Sequence, residues 1–303
     1  MNKETPATVP GVRDLTADDY ERVRRIALRV SGINLGDSRQ QMVRARLNKR
    51  LRHIGANTFL EYLDLLEEGR DDSAEMVAFV NAITTNKTEF FRENHHFEFL
   101  AKEWAPTQVA QSRRSQNYKL RIWCAASSTG QEPYSIAITL HSALMQSGDP
   151  WDIRILASDI DTNVLETARA GIYCEEDLLT VPEHLRRRYF LRGRGANAGV
   201  IQVHPDIRAM ISFRRINYID PRWPIRDGLD MIFCRNALIY FDRPTKATIV
   251  SRFSSLLRDH GFLIIGHSEA LEDRQFQLLG KTIYRKESWP SPETGVHANP
   301  KTQ

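Results

Sequence analysis

The stretch LRIWCAASSTGQEPYSIAITLHSALMQ, residues 120–146, predicts a strand, a turn and a helix in direct succession. LRIWCAA is a short apolar run, which is typical of a strand buried on both faces. SSTGQEP reads as a turn, and Pro133 followed by apolar residues up to Gln146 predicts a helix that ends near Gly148. This unit begins a pattern in which strands and helices alternate.

The alternation continues toward the C-terminus. IRILASD predicts a second strand, followed by a helix from about Asn163 to Ala170, and LDMIFCRN predicts another buried strand. DRPTKATIVSRFSSLLRDHG predicts a helix that ends at Gly261, and GFLIIGH and KTIYRKE predict the last strands. We therefore expect an α/β fold with an open, mostly parallel sheet, whose ligand site lies at the carboxyl ends of the strands.

One segment interrupts this pattern, because residues 171–210 are far longer than an ordinary connection. Two short β-prone runs lie around Gly193, Gly195 and Gly199, which indicates a hairpin or a small sheet. Its cationic residues are Arg186, Arg187, Arg188, Arg192 and Arg194. We expect a small antiparallel β-subdomain inserted at about residues 172–210.

The first part of the chain has a helical pattern. Thr16 caps and Gly32 ends a first helix, and a second runs from Ser38 to Gly55. Further helices are expected at about 58–68 and 73–83, which makes residues 14–83 an all-α domain. The polar segment 106–119 predicts a loop.

The second helix is unusually basic. Its cationic residues are Arg39, Arg44, Arg46, Lys49, Arg50 and Arg52. No acidic residue lies between Asp37 and Glu61, so neighbouring turns cannot neutralise these charges. The helix therefore predicts docking on an acidic partner, with Arg46 and Arg50 on one face; a solvated face is the simpler alternative.

Composition limits the class of protein. The chain has 303 residues and a formal net charge of +4, and its three cysteines are far apart. The spacings predict neither a disulfide framework nor a metal site. No apolar run approaches the roughly 18 residues of a membrane span, so a cytoplasmic location without membrane insertion is expected. Residues 1–13 and 291–303 are predicted to be disordered tails.

The turns after the first two strands indicate the ligand. A single glycine, Gly130, replaces the dinucleotide fingerprint, whereas Glu132 opens a helix and Asp159 ends a strand with Asp161 behind it. A carboxylate at that place can accept both ribose hydroxyl protons of a nucleoside. Because no phosphate cradle accompanies it, S-adenosylmethionine fits. The alternative, that Asp159 and Asp161 only cap the next helix, stays open.

Five motifs in order resemble one family. TTNKTEFFRE, CAASSTGQEPYSIA, ASDIDTNVLETARAGIY, FCRNALIYFD and GHSEAL are similar to motifs of the CheR-type chemoreceptor glutamate methyltransferases, over residues 14–286. The resemblance implies a linker at 84–95 and, at 96–290, a class I (Rossmann-like) S-adenosylmethionine-dependent methyltransferase domain that contains the β-subdomain. It also implies methyl transfer from S-adenosylmethionine to receptor glutamate carboxylates, with S-adenosylhomocysteine as product, for sensory adaptation in chemotaxis.

The resemblance also implies roles for individual residues. Residues of the linker would lie over the cofactor, Glu132 and Asp159 would hold its amino-acid end and its ribose, and Asn217 and Tyr218 would lie near the adenine. The expected cofactor contacts are Asn86, Thr88, Phe90, Arg92, Glu132, Asp159, Asn217, Tyr218, Arg235 and Asn236. Arg92 and Tyr240 are the expected catalytic residues. The chain departs from the family pattern at Lys87, Glu89 and Tyr218.

The chemistry expected of such a site is modest. A glutamate carboxylate is already ionised near neutral pH, so alignment with the methyl group matters more than a general base. Arg92 is expected to orient this carboxylate, since its planar fork suits one. Glu93, His95 and His96 are therefore interpreted as structural.

The expected partners are the cytoplasmic helices of chemoreceptors. By resemblance, Arg192 and Arg194 would bind a receptor's C-terminal peptide through strand addition. A monomer recruited to membrane receptor arrays is expected, with a regulatory adaptor protein left open and no nucleic acid bound. Two rivals remain at this point: an RNA methyltransferase, and a protein that binds S-adenosylmethionine without transferring the methyl group.

Overall fold

The computed structural model describes residues 14–288, so the predicted disordered tails at 1–13 and 291–303 lie outside the described residues. Four helices come first: α1 (Ala17–Ser31), α2 (Gln40–Ile54), α3 (Phe59–Glu68) and α4 (Ala74–Ile83). The side chains of Thr16, Thr58 and Ser73 cap α1, α3 and α4 as Ncap residues do. Gly32 and Gly55 end α1 and α2 with φ of 71° and 76°.

These four helices enclose their own apolar core, made of residues from each of them, among them Val23, Leu47, Tyr62 and Phe79. A short 3₁₀ turn, Asp37–Arg39, precedes α2. The helical pattern of the sequence is therefore confirmed by the observed elements, and the helices pack on one another because each presents its apolar stripe to the same centre.

The segment after the linker is one long helical run, so the loop predicted at 106–119 is wrong. The run consists of α5 (His95–Phe99), a π-helical turn (Leu100–Trp104) and α6 (Ala105–Ser115). The polar composition of the segment indicated the loop. Pro106 lacks an amide proton and is tolerated only near the start of a helix. Here it lies in the first turn of α6, directly after the π turn, where the Ala105 amide bonds to the Leu100 carbonyl.

The described part of the chain then contains ten strands: β1 (Lys119–Cys124), β2 (Asp152–Asp159), β3 (Ile172–Cys174), β4 (Phe190–Arg192), β5 (Val200–Val203), β6 (Ile211–Arg215), β7 (Leu229–Cys234), β8 (Leu257–Ile265), β9 (Phe276–Gly280) and β10 (Ile283–Lys286). Seven form a sheet in the order β6-β2-β1-β7-β8-β10-β9. Its first five strands are parallel, and β10 runs antiparallel to both neighbours.

Helices cover both faces of this sheet: α7 (Gln131–Leu144), α8 (Thr162–Ala170) and α11 (Arg243–Leu256), together with the run from α5 to α6. One core joins α5, α6 and α7 to the sheet, with Trp104, Ile136 and Leu140. A second core packs Ile249 and Phe253 of α11 on the other face. The α/β prediction is therefore confirmed.

Three details of the predicted order were wrong. The last helix ends at Leu256 instead of Gly261, because the chain enters β8 at Leu257, and Gly261 lies within that strand. Strands β6 and β9 were not predicted. β9 places three successive exposed residues at the sheet edge, and β6 has a single buried residue, so neither shows the apolar pattern of an inner strand.

The insertion contains the small three-stranded antiparallel sheet β3-β5-β4 and two short helices, α9 (Glu183–Tyr189) and α10 (Pro205–Arg208). In the large sheet, β1 has β2 on one side and β7 on the other. The strand order therefore reverses at β1: the strands β2 and β6 extend the sheet on one side, and β7 and β8 extend it on the other. Such a switch point leaves a crevice at the carboxyl ends of the strands.

Candidate active site

A cavity of about 350 Å³, called here the edge cavity, lies at the carboxyl ends of β1, β2 and β7. The linker and the helical domain form its other walls, since Ser31, Ile33 and Arg39 line it together with residues of the sheet edge. Its size is that of a small-ligand site.

The edge cavity brings together every residue that was predicted as catalytic or cofactor-binding, except Phe90. The ten lining residues of that set are Asn86, Thr88, Arg92, Glu132, Asp159, Asn217, Tyr218, Arg235, Asn236 and Tyr240. They come from the linker and from the carboxyl ends of β1, β2, β6 and β7 or the segments that follow them, which meet only in the folded chain. Their individual roles stay predictions.

Asp159 and Asp161 have different surroundings. Asp161 Oδ1 accepts the Asn163 and Val164 amides and caps α8, so the capping alternative holds for this residue. Asp159 instead lines the cavity, and its carboxylate accepts the Ser128 amide at 2.8 Å and the Asp161 amide at 3.1 Å. Burial raises the pKa of Asp159 to about 6. The two amides therefore fix the orientation of the Asp159 carboxylate, and no cationic side chain is among the main causes of its pKa shift.

Arg235 lies at the centre of a buried ion-pair network. Its side chain is 1% exposed and contacts the carboxylates of Glu132 at 2.7 Å and Glu93 at 3.2 Å. Burial raises the pKa of Glu132, and Arg235 opposes that rise. Arg235 also donates to the Arg92 carbonyl, so the guanidinium joins the linker to the floor of the cavity. A buried arginine between two carboxylates is fixed in position.

The Glu93 carboxylate is committed to this network. Burial would raise its pKa, but His267, 2.8 Å away, and Arg235 outweigh burial and lower the pKa to about 2. Burial and Arg235 lower the pKa of His96 to about 3, so this ring is neutral. Glu93, His95 and His96 have potential metal ligand atoms within 4.8 Å of one another. The Arg235 cation on the same carboxylate opposes a second cation there.

The linker is tied to the sheet edge by Asp161. Thr84 Oγ1 and Asn86 Nδ2 donate to Asp161 Oδ2 at 2.9 and 2.7 Å, and Ser128 Oγ donates to the Asn86 carbonyl at 2.8 Å. These bonds hold the linker across the cavity mouth. Arg92 lines the cavity and donates from Nη1 to the Lys87 carbonyl at 3.0 Å.

The prediction that Phe90 lies over the cofactor is wrong. Phe90 is fully buried and makes edge-to-face contacts with Tyr173, at 5.1 Å, and with Phe190, at 5.3 Å. Both partners belong to the inserted β-subdomain. The chain turns between Phe90 and Arg92, since Phe91 has a φ of 55°. Phe90 therefore points to the core while Arg92 lines the cavity.

Tyr240 forms part of the junction between the helical domain and the sheet. The Arg39 guanidinium lies 4.4 Å from the centre of the Tyr240 ring, and the Tyr240 carbonyl accepts the Asn34 amide at 2.8 Å. Asn217 donates to the Val30 carbonyl at 2.8 Å across the same junction, and Tyr218 donates to the Ala125 carbonyl at 2.6 Å. The helical domain therefore completes the edge cavity.

Comparison with known proteins agrees with this geometry. The family model described as CheR methyltransferase, SAM binding domain, matches residues 86–285, and the model of the CheR methyltransferase all-alpha domain matches residues 18–84. The chain belongs to the CheR methyltransferase family. The predicted family, fold and S-adenosylmethionine cofactor are confirmed by these matches.

Several curated relatives carry the name chemotaxis protein methyltransferase. Chemotaxis protein methyltransferase 2 of Pseudomonas aeruginosa is 43% identical over 94% of this chain and 99% of its own length. Chemotaxis protein methyltransferases of Klebsiella aerogenes and Salmonella typhimurium are 45% and 42% identical, each over 88% of both chains. This chain therefore spans nearly the whole length of its CheR relatives.

The basic face of α2 differs from its prediction. Arg50 forms a two-point ion pair with Glu75 of α4, and Arg46 donates to the Ala82 and Thr84 carbonyls at the end of that helix. The premise that α2 has no counter-charge is therefore wrong. Glu75 supplies one from α4, which is distant in sequence. Neither residue presents an uncommitted guanidinium to a partner.

The other cations of the predicted docking surfaces are more exposed. On α2, these are Arg44, whose side chain is 44% exposed and pairs with Asp14, as well as Lys49 and Arg52. Arg192 pairs with Glu175 at 3.0 Å but stays 79% exposed. Arg194 is exposed beside it.

Sequence reasoning did not assign several residues of this site. Arg39 was noted only as one charge of a basic helix, and Ser31 and Ile33 not at all, because the contact of the helical domain with the sheet edge leaves no local pattern. Glu93 was taken as structural, which agrees with its place beside Arg235. No helix in residues 14–288 is long and apolar enough to cross a membrane.

Proposed function

We propose that this CheR methyltransferase transfers the methyl group of S-adenosylmethionine to glutamate side chains of chemoreceptors, forming methyl esters and S-adenosylhomocysteine. The observation that carries the proposal is the convergence of ten predicted residues on one cavity in a chain that matches both CheR domains. The names of the relatives support the choice of chemoreceptors as substrates.

The residues of the edge cavity fit the cofactor. Asp159 offers carboxylate oxygens for the ribose hydroxyls, and its raised pKa is explained by burial without a cationic partner. Glu132 is assigned to the amino-acid end, together with Arg235. Asn217 and Tyr218 line the cavity at its junction with the helical domain and are assigned to the adenine. Asn86, Thr88 and Asn236 complete this set of contacts.

When bound, the cofactor supplies a methyl group that its sulfonium has already activated. The protein's part is to align a carboxylate oxygen with that group and to exclude water. Arg92 is assigned to orient the acceptor carboxylate, because the Lys87 carbonyl uses one of its guanidinium nitrogens and fixes the direction of the others. Tyr240 is assigned a hydrogen bond to the same end. An arginine that positions the acceptor without fully neutralising it preserves the nucleophilicity of the carboxylate.

The cofactor assay distinguishes this function from its rivals. The chain is incubated with cofactor carrying a labelled methyl group and with membranes that contain chemoreceptors, and the product is then treated with mild base. Release of labelled methanol is expected, because carboxyl methyl esters hydrolyse under these conditions. Base-stable label would indicate N-methylation, and absence of label in the receptor would contradict the proposal.

The exposed cations of α2 are assigned to receptor docking. Arg44, Lys49 and Arg52 keep solvent-facing charge, whereas Arg46 and Arg50 stabilise the contact with α4. Charge reversal at Lys49 and Arg52 is expected to raise the KM for receptor at low salt and to leave the affinity for S-adenosylhomocysteine unchanged. An unchanged KM would reject this docking surface.

Arg192 and Arg194 of the β-subdomain are assigned to a receptor's C-terminal peptide through strand addition at the small sheet. Deletion of that peptide should weaken binding to the receptor, and equal binding of both receptor forms would reject the assignment.

We also propose that the protein is cytoplasmic and is recruited to receptor arrays as a monomer, with residues 84–95 as the linker between its two domains. Gel filtration at micromolar concentration tests the monomer.

A further inference from the structure

We propose that Glu269 is a positioning residue for methyl transfer, which fixes the loop that carries Asn236 and Tyr240. The inference rests on the function proposed above, because it assigns a role in that reaction. Glu269 belongs to the stretch GHSEAL after β8, and it does not line the edge cavity.

The carboxylate of Glu269 accepts hydrogen bonds from three backbone amides. Oε2 accepts the Asn236 amide at 2.8 Å and the Gly266 amide at 2.7 Å, and Oε1 accepts the Ile239 amide at 3.2 Å. The residue is 5% exposed, and no lysine, arginine or histidine in residues 14–288 forms an ion pair with it. A buried carboxylate held only by amides must be satisfied by these bonds, since a lost partner would leave it poorly solvated.

The loop depends on this acceptor. It leaves β7 after Cys234 and turns sharply at Asn236, whose φ is 56°, a left-handed conformation that costs energy in most residues. A 3₁₀ turn, Leu238–Tyr240, follows. In such a turn several amides lack an acceptor within the chain segment itself, and Glu269 supplies it for two of them.

The approach of Gly266 explains why the carboxylate reaches the loop. A Cβ at Gly266 would lie 2.4 Å from Asn236 Nδ2, 2.9 Å from the Asn236 nitrogen and 2.9 Å from Glu269 Oε2. Both chain segments therefore touch at this point, and only glycine fits between them. Any side chain there would push Asn236 away from its present place in the wall of the cavity.

The two oxygens of Glu269 act on different parts of the loop. Oε2 holds Asn236, which is assigned to the cofactor, whereas Oε1 holds Ile239, the neighbour of Tyr240. A glutamine at this position keeps one carbonyl oxygen, which belongs where two amides converge. Its NH₂ group then faces the Ile239 amide, and two donors repel each other. Glu269→Gln should therefore disturb the Tyr240 end of the loop and spare the Asn236 end.

Gly266→Ala acts on the opposite end. Its methyl group meets Asn236 first, at 2.4 Å, and also approaches Glu269 Oε2 at 2.9 Å. Oε1, which accepts the Ile239 amide, is not among the three nearest atoms, so the Tyr240 end of the loop should be disturbed less. The two variants should therefore affect different quantities. Glu269→Gln should lower kcat with little change in cofactor affinity, whereas Gly266→Ala should mainly weaken cofactor affinity. A residue with a general structural role would not separate the two quantities in this way.

Asp230 provides a matched control. It is 3% exposed, accepts the Arg121 amide at 2.6 Å and pairs with Arg258 at 2.9 Å. It lies near the start of β7, whereas the edge cavity lies at the other end of the same strand. Asp230→Asn therefore removes a buried carboxylate from the same strand without touching the loop.

The experiment measures three quantities for each variant: the Kd of S-adenosylhomocysteine by calorimetry, kcat of receptor methylation at saturating cofactor, and Tm. For Glu269→Gln we expect a fall in kcat of about tenfold and a Kd within about threefold of the wild type, since misplacement of an aligning group lowers the rate steeply. For Gly266→Ala we expect a Kd weakened by about tenfold, the size expected from loss of one hydrogen bond to the cofactor. Asp230→Asn should lower Tm alone.

Two outcomes would overturn the inference. In the first, Glu269→Gln keeps the wild-type kcat. In the second, its activity falls only in proportion to the unfolded fraction, as for Asp230→Asn. Failure of the proposed function would look different, because the wild type itself would then transfer no methyl group. The Kd of S-adenosylhomocysteine for Gly266→Ala, compared with the wild type, would still show whether Asn236 had moved.

Discussion

Helix α2 and the carboxyl edge of the sheet both stand out in the sequence by their charged residues, yet only the edge keeps the arrangement that the sequence suggests. At the edge, Asp159 ends β2 and Arg235 directly follows β7, and both line the edge cavity because parallel strands point their carboxyl ends the same way. On α2, the charge of Arg50 is neutralised by Glu75 of another helix. Topology makes the first predictable, whereas the second depends on packing that no local pattern reveals.

The largest effect should come from the carboxylate at the edge of the sheet. Asp159→Asn removes the charge that is assigned to both ribose hydroxyls, and two charge-assisted hydrogen bonds together contribute about 3 kcal/mol, or roughly 100-fold in affinity. Calorimetry with S-adenosylhomocysteine measures this loss. Asp161→Asn is the comparison: it alters the cap of α8 and the bond to Asn86 of the linker but removes no charge assigned to the cofactor, so a smaller loss of affinity is expected. Equal losses in both variants would remove the distinction between the two carboxylates.

A smaller effect follows from pH, because Asp159 must be ionised to accept hydroxyl protons. Its folded pKa of about 6 lies above the ordinary aspartate value, so the protein without cofactor takes up a proton as pH falls through about 6. Cofactor affinity should be full above that pH and fall by up to about tenfold at pH 5. The same titration on Asp159→Asn should be flat between pH 5 and 7. A parallel fall in the variant would assign the pH dependence to another group.

The smallest effect should be found on α2, where it concerns stability. Arg50→Ala leaves the half-buried Glu75 without its partner and should cost about 1–2 kcal/mol, a lowering of Tm by a few degrees. Arg44→Ala, whose ion pair with Asp14 is exposed, should change Tm by less than about 1 °C. Differential scanning calorimetry compares the two. A larger loss for Arg44 would mean that exposure does not decide which charges of this helix matter.

The sequence was informative wherever a period or a strand end carried the signal. The cap Thr16, the approximate starts of α3 and α4 at Thr58 and Ser73, and the inner strands were predicted because capping chemistry, apolar periodicity and continuous apolar runs are local properties. Helix α6 was missed because the π turn before Pro106 has no sequence signature. Strand β9 was missed because an exposed edge strand does not need apolar residues.

The same reasoning applies to the site. Ten cavity residues could be predicted since the family motifs coincide with strand ends and with the linker. Phe90 was assigned wrongly because its neighbours in sequence line the cavity and its own side chain points to the β-subdomain. Arg39 and Glu269 could not be assigned, because each acts through a contact between distant segments.

A crystal structure of the chain with S-adenosylhomocysteine tests the central claim most directly, because it shows where the cofactor binds. We expect the ligand in the edge cavity, with its ribose hydroxyls bonded to the carboxylate of Asp159 and its adenine between Asn217 and Tyr218. A ligand bound outside this cavity, or one whose ribose makes no contact with Asp159, would contradict the account.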